Sequence, residues 1–86
     1  MYTPREGVLV QQVGEELVLL DVSSGTYYGL NDVGLVVWES LTRGLAVGEA
    51  VDLVRARFEV DAARAAQDVG DLVQELLHRG LLTPTR

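Results

Sequence analysis

His78 is the chain's one histidine, and there is no cysteine and no lysine. A zinc site with nitrogen or sulfur ligands needs several such side chains at defined spacing. Without cysteine there is no disulfide, thiolate ligand or thiol nucleophile. His78 falls beside Arg79 in what reads as the last turn of a helix. A cation there complements the helix dipole, and His78 is read as a dipole-stabilising or solvated residue. Ser23 and Ser40 could in principle join it in a triad, but no nucleophile elbow surrounds either. Asp68 and Asp71, at i and i+3, share a helix face and could touch a cation. Hard cations take more oxygens than two, so the pair reads as a wet acidic face. Gly25 and Gly29 lack the spacing of a phosphate-binding loop, and no lysine follows them. The expectation is no catalytic residue, no metal and no cofactor.

Composition narrows the classes further. The chain has 86 residues, which predicts a single domain over 1–86. A domain of this size buries ~60% of the surface its unfolded chain exposes, enough for one core but not for a deep enclosed pocket beside it. Hydrophobic residues make up 48%, consistent with a packed core. The formal charge is −6, from 13 acidic and 7 basic residues. Nucleic-acid binding needs a basic face to release counterions, and an anionic membrane surface also attracts basic residues. Neither partner is expected. The start, MYTPREGVLV, carries Glu6 and no apolar stretch suited to a signal peptide. No run approaches the ~20 apolar residues of a membrane span. A cytoplasmic protein, monomeric or weakly dimeric, is the expectation.

The elements follow from periodicity. Val8 to Val13, the break Gly14-Glu15-Glu16, and Leu17 to Asp21 read as a hairpin. Ser23-Ser24-Gly25 is a second turn signal, and Thr26 to Leu30 a third strand. Such a meander needs helices against one face. Asn31 caps the first helix, with Gly34, Val37, Trp38 and Leu41 on one face. Leu35 and Val36 make that helix apolar nearly all round, the mark of a central helix. Gly44 ends it. The second helix runs from Val47 to Phe58 with a stripe of Val47, Ala50, Val51, Val54 and Phe58. Asp61 caps a third, longer helix ending near Arg79, with Gly80 as its stop. Its main face is Ala62, Ala66, Val69, Val73, Leu76 and Leu77, flanked by Ala65 and Leu72. Leu81 and Leu82 fold back on the core, and Thr83-Pro84-Thr85-Arg86 should fray. The result is an α+β, winged-helix-like domain: a three-stranded antiparallel sheet followed by three helices.

With those elements in place, a resemblance emerges. The segment Leu19-Leu20-Asp21, Ser24-Gly25, Tyr27-Tyr28, Leu30-Asn31, Gly34, Val37-Trp38, Leu41 and Gly44 resembles PqqD-like proteins. Ala50-Val51, Val54, Asp61, Asp68-Val69, Leu72, Leu76 and Gly80-Leu81-Leu82 continue the match, so it runs from about Leu9 to Leu82. PqqD-like proteins are recognition elements for ribosomally made, post-translationally modified peptides. The resemblance implies a precursor's leader segment docking as an added strand on the third strand, against the third helix. A stand-alone acidic domain of this size looks most like the recognition protein of lasso-peptide pathways. There the family presents the leader to a separate protease, and the core then goes to a cyclase.

The implied leader-binding residues are Thr26, Tyr27, Tyr28, Gly29 and Leu30 on the strand, and Asp68, Val69, Leu72, Val73 and Leu76 on the helix. Tyr27 and Tyr28 point to opposite faces; Tyr28 is expected inward with Leu30, Tyr27 outward with Gly29. The lesser alternative is that both tyrosines merely decorate a sheet, since aromatics favour strands. Leu72 and Leu76 fit plain core packing as well as a groove, and Leu72, on the flank of the stripe, is the better groove candidate. Trp38 reads as core. The rival readings are a winged-helix DNA-binding regulator and a dimerisation module with Leu35 and Val36 as its patch. Against the former, Asp68, Asp71 and Glu75 stand where a recognition helix carries Arg, Lys or Asn.

Overall fold

The computed structural model describes residues 1–85. Tyr2–Pro4 forms β1, Val8–Val13 β2, Glu16–Asp21 β3 and Thr26–Leu30 β4. Asp32–Thr42 is α1, Val47–Phe58 α2, Ala62–His78 α3, and Leu82–Pro84 a last strand, β5. Strands β2, β3 and β4 make an antiparallel sheet in that order, and β1 pairs with β5 in a second, two-stranded one.

Side-chain alternation divides the larger sheet into two faces. Leu17 lies opposite Leu30, and Leu19 opposite Tyr28. Leu17, Leu19 and Leu30 are buried and Tyr28 is half-buried. This inner face packs on α1, whose Leu35, Val36, Val37, Trp38 and Leu41 are all buried. The helix is central, as its all-round apolar sequence implies. The outer face carries Leu9, Val13, Val18, Leu20 and Tyr27. Of these, Leu9 is 59% and Tyr27 70% exposed.

Caps fix the helix ends. The Asn31 side chain accepts from the Gly34 N–H at 3.0 Å, and Asp61 accepts from the Arg64 N–H at 2.9 Å. Before α2 there is no capping side chain, but Glu49 reaches back to the Ala46 N–H at 2.9 Å. The first and third helices both close in the same way. Gly44 and Gly80 take positive φ of 94° and 70°; Leu45 and Leu81 donate to Ser40 O and Leu76 O, and Gly44 and Gly80 to Leu41 O and Leu77 O. These are paired 6→1 and 5→2 bonds of a Schellman turn. Gly34 has a different role: a Cβ there would stand 2.9 Å from the Leu30 Cβ. Its missing side chain lets α1 approach the end of β4.

Three expectations need correction. Thr83 and Pro84 do not fray: they belong to β5, where Thr83 pairs with Thr3 and Pro84 with Tyr2. Thr85 donates to Met1 O at 2.8 Å. Arg86, the last residue of the expected fray, lies outside the described residues. On α3 the buried stripe is Ala65, Val69, Val73 and Leu76. Ala62 and Ala66 are exposed, because α2 packs on the flank where Ala65 lies. Finally, Leu35 and Val36 are 9% and 7% exposed, so they form no surface patch for a second copy. No helix among the described residues is long and apolar enough to cross a membrane.

Candidate functional site: an open strand edge and the end of a helix

In the larger sheet β4 has β3 on one side and, among the described residues, no strand on the other. Ladder phase tells which of its backbone groups are free. The Val22 N–H donates to Gly7 O at 3.0 Å, so that pair and every second pair after it bond between β2 and β3. Antiparallel pairing alternates. Leu20 and Val18 therefore turn their backbone groups to β2, while Asp21, Leu19 and Leu17 turn theirs to β4. Opposite them, Thr26, Tyr28 and Leu30 point inward along the ladder. Tyr27 and Gly29 are left with N–H and C=O aimed at the open edge. These are the groups that an added strand bonds.

The Tyr28 ring faces the helices. The Arg79 guanidinium lies over it, 4.8 Å from the ring centroid, a distance at which a cation is attracted to the π face. Arg79 Nε also donates to Glu75 at 2.7 Å. That hydrogen bond first, and the carboxylate charge second, raise the pKa of Arg79 further above its ordinary value. Tyr28 and Arg79 join Asp21, Ser24, Thr26 and Leu81 around an open cleft of about 150 Å³. The cleft lies where the end of α3 meets β4.

Asp21 anchors the β3–β4 turn beside that cleft. It accepts from Arg5 Nη2 at 3.0 Å, and from Ser23 N–H and Oγ at 3.1 and 2.7 Å. The Ser23 hydroxyl is the largest influence and lowers the pKa of Asp21; the Ser23 N–H and Arg5 act in the same sense, and burial opposes them.

The ten residues implied by the resemblance fall into two groups. Tyr27 and Gly29 offer free backbone at the edge, Thr26 and Tyr28 line the cleft, and Leu30 is 5% exposed beneath Gly34. On α3, Val69, Val73 and Leu76 are buried in the core. Leu72 is half-buried and Asp68 exposed, with Asp68 held by Arg64 at 3.0 Å. Leu72 and Asp68 are thus the two of the five that present side-chain surface.

Four cleft residues escaped the sequence reading: Asp21, Ser24, Arg79 and Leu81. Arg79 had a local explanation as a charge at a helix C-terminus, which hid its reach to Tyr28. The run Asp21-Val-Ser-Ser carries an Asx-turn signal that marked the turn but not its place beside α3. Among the described residues no group of three or more His, Cys, Asp or Glu side chains is placed to hold a metal ion.

The edge and cleft can be set beside known proteins. No curated protein sequence matches the chain. Among solved structures, "TbiB1 in Complex with the TbiA(beta) Leader Peptide" superposes with a TM-score of 0.86 at 31% identity, covering 98% of each chain. "Lasso peptide synthetase B1 complexed with the leader peptide" superposes with a TM-score of 0.88 at 29% identity, covering 96% of this chain and 98% of that one. The model of the family described as "Coenzyme PQQ synthesis protein D (PqqD)" matches residues 16–82, a span that holds the sheet edge, all three helices and the cleft between them. The chain belongs to the PqqD family.

Proposed function

We propose that residues 1–86 act as one peptide-binding domain. It captures the leader segment of a ribosomally made precursor peptide and presents it to a separate processing enzyme, the leader protease, in lasso-peptide biosynthesis. The leader adds as a strand along β4. Tyr27 and Gly29 each give it one donor and one acceptor, worth about 0.5–1.5 kcal/mol net per hydrogen bond. Side chains on the inner face of the added strand meet Tyr28 and Arg79 at one end and Leu72 on α3. Val69, Val73 and Leu76 form the floor behind Leu72 rather than a contact surface. After association and ordering costs of about 4–15 kcal/mol, the balance lies between micromolar and nanomolar affinity. The domain works as a recognition element beside an enzyme, not as the enzyme, and meets its peptide in the cytoplasm.

One observation carries this reading: a strand edge with free backbone groups borders an amphipathic cleft, in a fold shared with two solved leader-peptide complexes. The DNA-binding alternative meets exposed Asp68 and Asp71 on α3, which repel phosphate. The test is backbone NMR with a synthetic leader from the precursor encoded beside this protein. Shifts should cluster on Thr26–Leu30 and on Asp68–Leu76. Clustering on Val47–Phe58 would refute the site. No binding by the cognate leader would refute the function.

A further inference from the structure

The larger sheet has two edges, and the leader uses the one at β4. Strand β2 forms the other, with β3 on one side and, among the described residues, no strand on its far side. Leu9 to Val13 are all exposed. An open edge is ordinarily guarded by a charge, a proline or a bulge, because its unpaired backbone groups recruit further strands. The sequence of β2, VLVQQV, has no charge and no proline, and it pairs with β3 residue for residue without a bulge. This unguarded strand belongs to a molecule of net charge −6.

Ladder phase identifies the free groups here too. Leu9, Gln11 and Val13 bond to β3, in step with the Gly7–Val22 pair. Val8, Val10 and Gln12 therefore turn theirs outward. The Val8 N–H is already taken by Arg5 O at 3.1 Å. The Gln12 carbonyl meets the side-chain amide of its neighbour Gln11 at 3.2 Å, an exposed contact that an incoming strand can displace. Val10 and Gln12 thus each hold a donor and an acceptor for another chain.

We propose that a second copy of this chain docks at the β2 edge, antiparallel to the first, with the two-fold axis at Gln11. The sheet becomes six-stranded, and both β4 edges stay open at its ends. The occupant follows from self-complementarity, since across a two-fold each strand must supply what the other needs. With the axis at Gln11, Val10 lies opposite the partner's Gln12 and Gln12 opposite the partner's Val10. Each such pair exchanges two backbone hydrogen bonds, all from groups that are free. An axis at Val10 would need the Val8 N–H, which Arg5 O occupies. Leu9 meets the partner's Val13, and these two side chains, 59% and 60% exposed in a single copy, cover each other. Two copies of charge −6 repel each other as wholes, and contact through an uncharged strand keeps that repulsion low. Leader binding, at the opposite edge, is neither required nor blocked.

Sedimentation equilibrium of the parent over a wide concentration range should show a monomer–dimer equilibrium. Gln11→Lys sets like charges face to face across the axis and should weaken the dimer about fivefold or more. Gln11→Glu should do the same. Mixing the two variants in equal amounts should restore association at least to the parent level, because unlike charges then meet across the axis. Gln74→Lys makes the same change of charge at an exposed position on α3 and should leave the dimer intact. Every variant should bind a fluorescein-labelled leader as the parent does. A parent that stays monomeric throughout overturns the proposal. So does a dimer that survives both Gln11 changes, an equal loss with Gln74→Lys, or no rescue on mixing. Loss of leader binding by Gln11→Lys, with the circular dichroism of the parent, would make the leader the occupant of β2 and overturns the second copy too.

Discussion

Gly29 and Leu72 bear the sharpest residue-scale expectations. A proline at Gly29 removes the N–H aimed at the open edge. Leader affinity measured by anisotropy should drop by at least one hydrogen bond's worth, about 0.5–1.5 kcal/mol. Leu72→Asp should weaken binding by several kcal/mol, because it desolvates an unpaired charge in the groove. Circular dichroism must show both variants folded, and unchanged affinity in either would remove that residue from the site. Asp21 gives a pH signature. Its folded carboxyl titrates below the ordinary 3.8, so its contribution is present above that value and lost as pH falls through it and below. The melting gap between the parent and Asp21→Asn should close as pH drops below about 4; a gap constant with pH would show that ionised Asp21 adds nothing. The inward Tyr28 and outward Tyr27 were legible in strand alternation alone. The Arg79–Tyr28 contact was not, because it joins a strand residue to a helix end far along the chain that no local pattern links.

Elements were the most legible scale. Asn31 and Asp61 announced the starts of α1 and α3, and Gly44 and Gly80 their ends, because capping is chemistry between residues three to five apart. Strands β1 and β5 were invisible for the opposite reason. Each is three residues long, each contains a proline, and they pair across nearly the whole chain. Local signals favoured fraying, and long-range pairing overrode them. The α3 stripe was misplaced onto Ala62 and Ala66 because alanine reports a face weakly; the position of α2 selected Ala65. The contact between α1 and β4 is testable at Gly34. Gly34→Ala would press a methyl group on the Leu30 Cβ, an overpacking cost of about 1–3 kcal/mol. Chemical denaturation should show that loss, and leader affinity should fall with it as β4 shifts. A fully stable variant would mean that the helix moves away freely.

At the scale of the whole molecule, β1 and β5 close the fold. Leu82 is 1% exposed and Leu81 4%, and the Arg5 N–H donates to Leu81 O at 3.1 Å. Leu82→Ala should therefore cost about 2–5 kcal/mol, as a buried core truncation does, measured as a shift in urea midpoint. A loss near zero would show the two-stranded sheet to be an ornament on the core. The acidic, lysine-free composition argues against a nucleic-acid partner. It could not reveal that charge is nearly absent from one sheet face, since composition carries no information about direction.

Tyr2 and Pro84 stand opposite each other in the β1–β5 pair, so the two ends of the described chain are neighbours. Joining them with a short flexible loop and reopening the chain at the Ser23–Ser24 turn would give a permuted protein with the same strand ladder between β2 and β3. The same proximity makes the domain portable. An enzyme fused through either end would be tethered at nearly the same point relative to the bound peptide, with an effective concentration governed by linker length rather than by the choice of end.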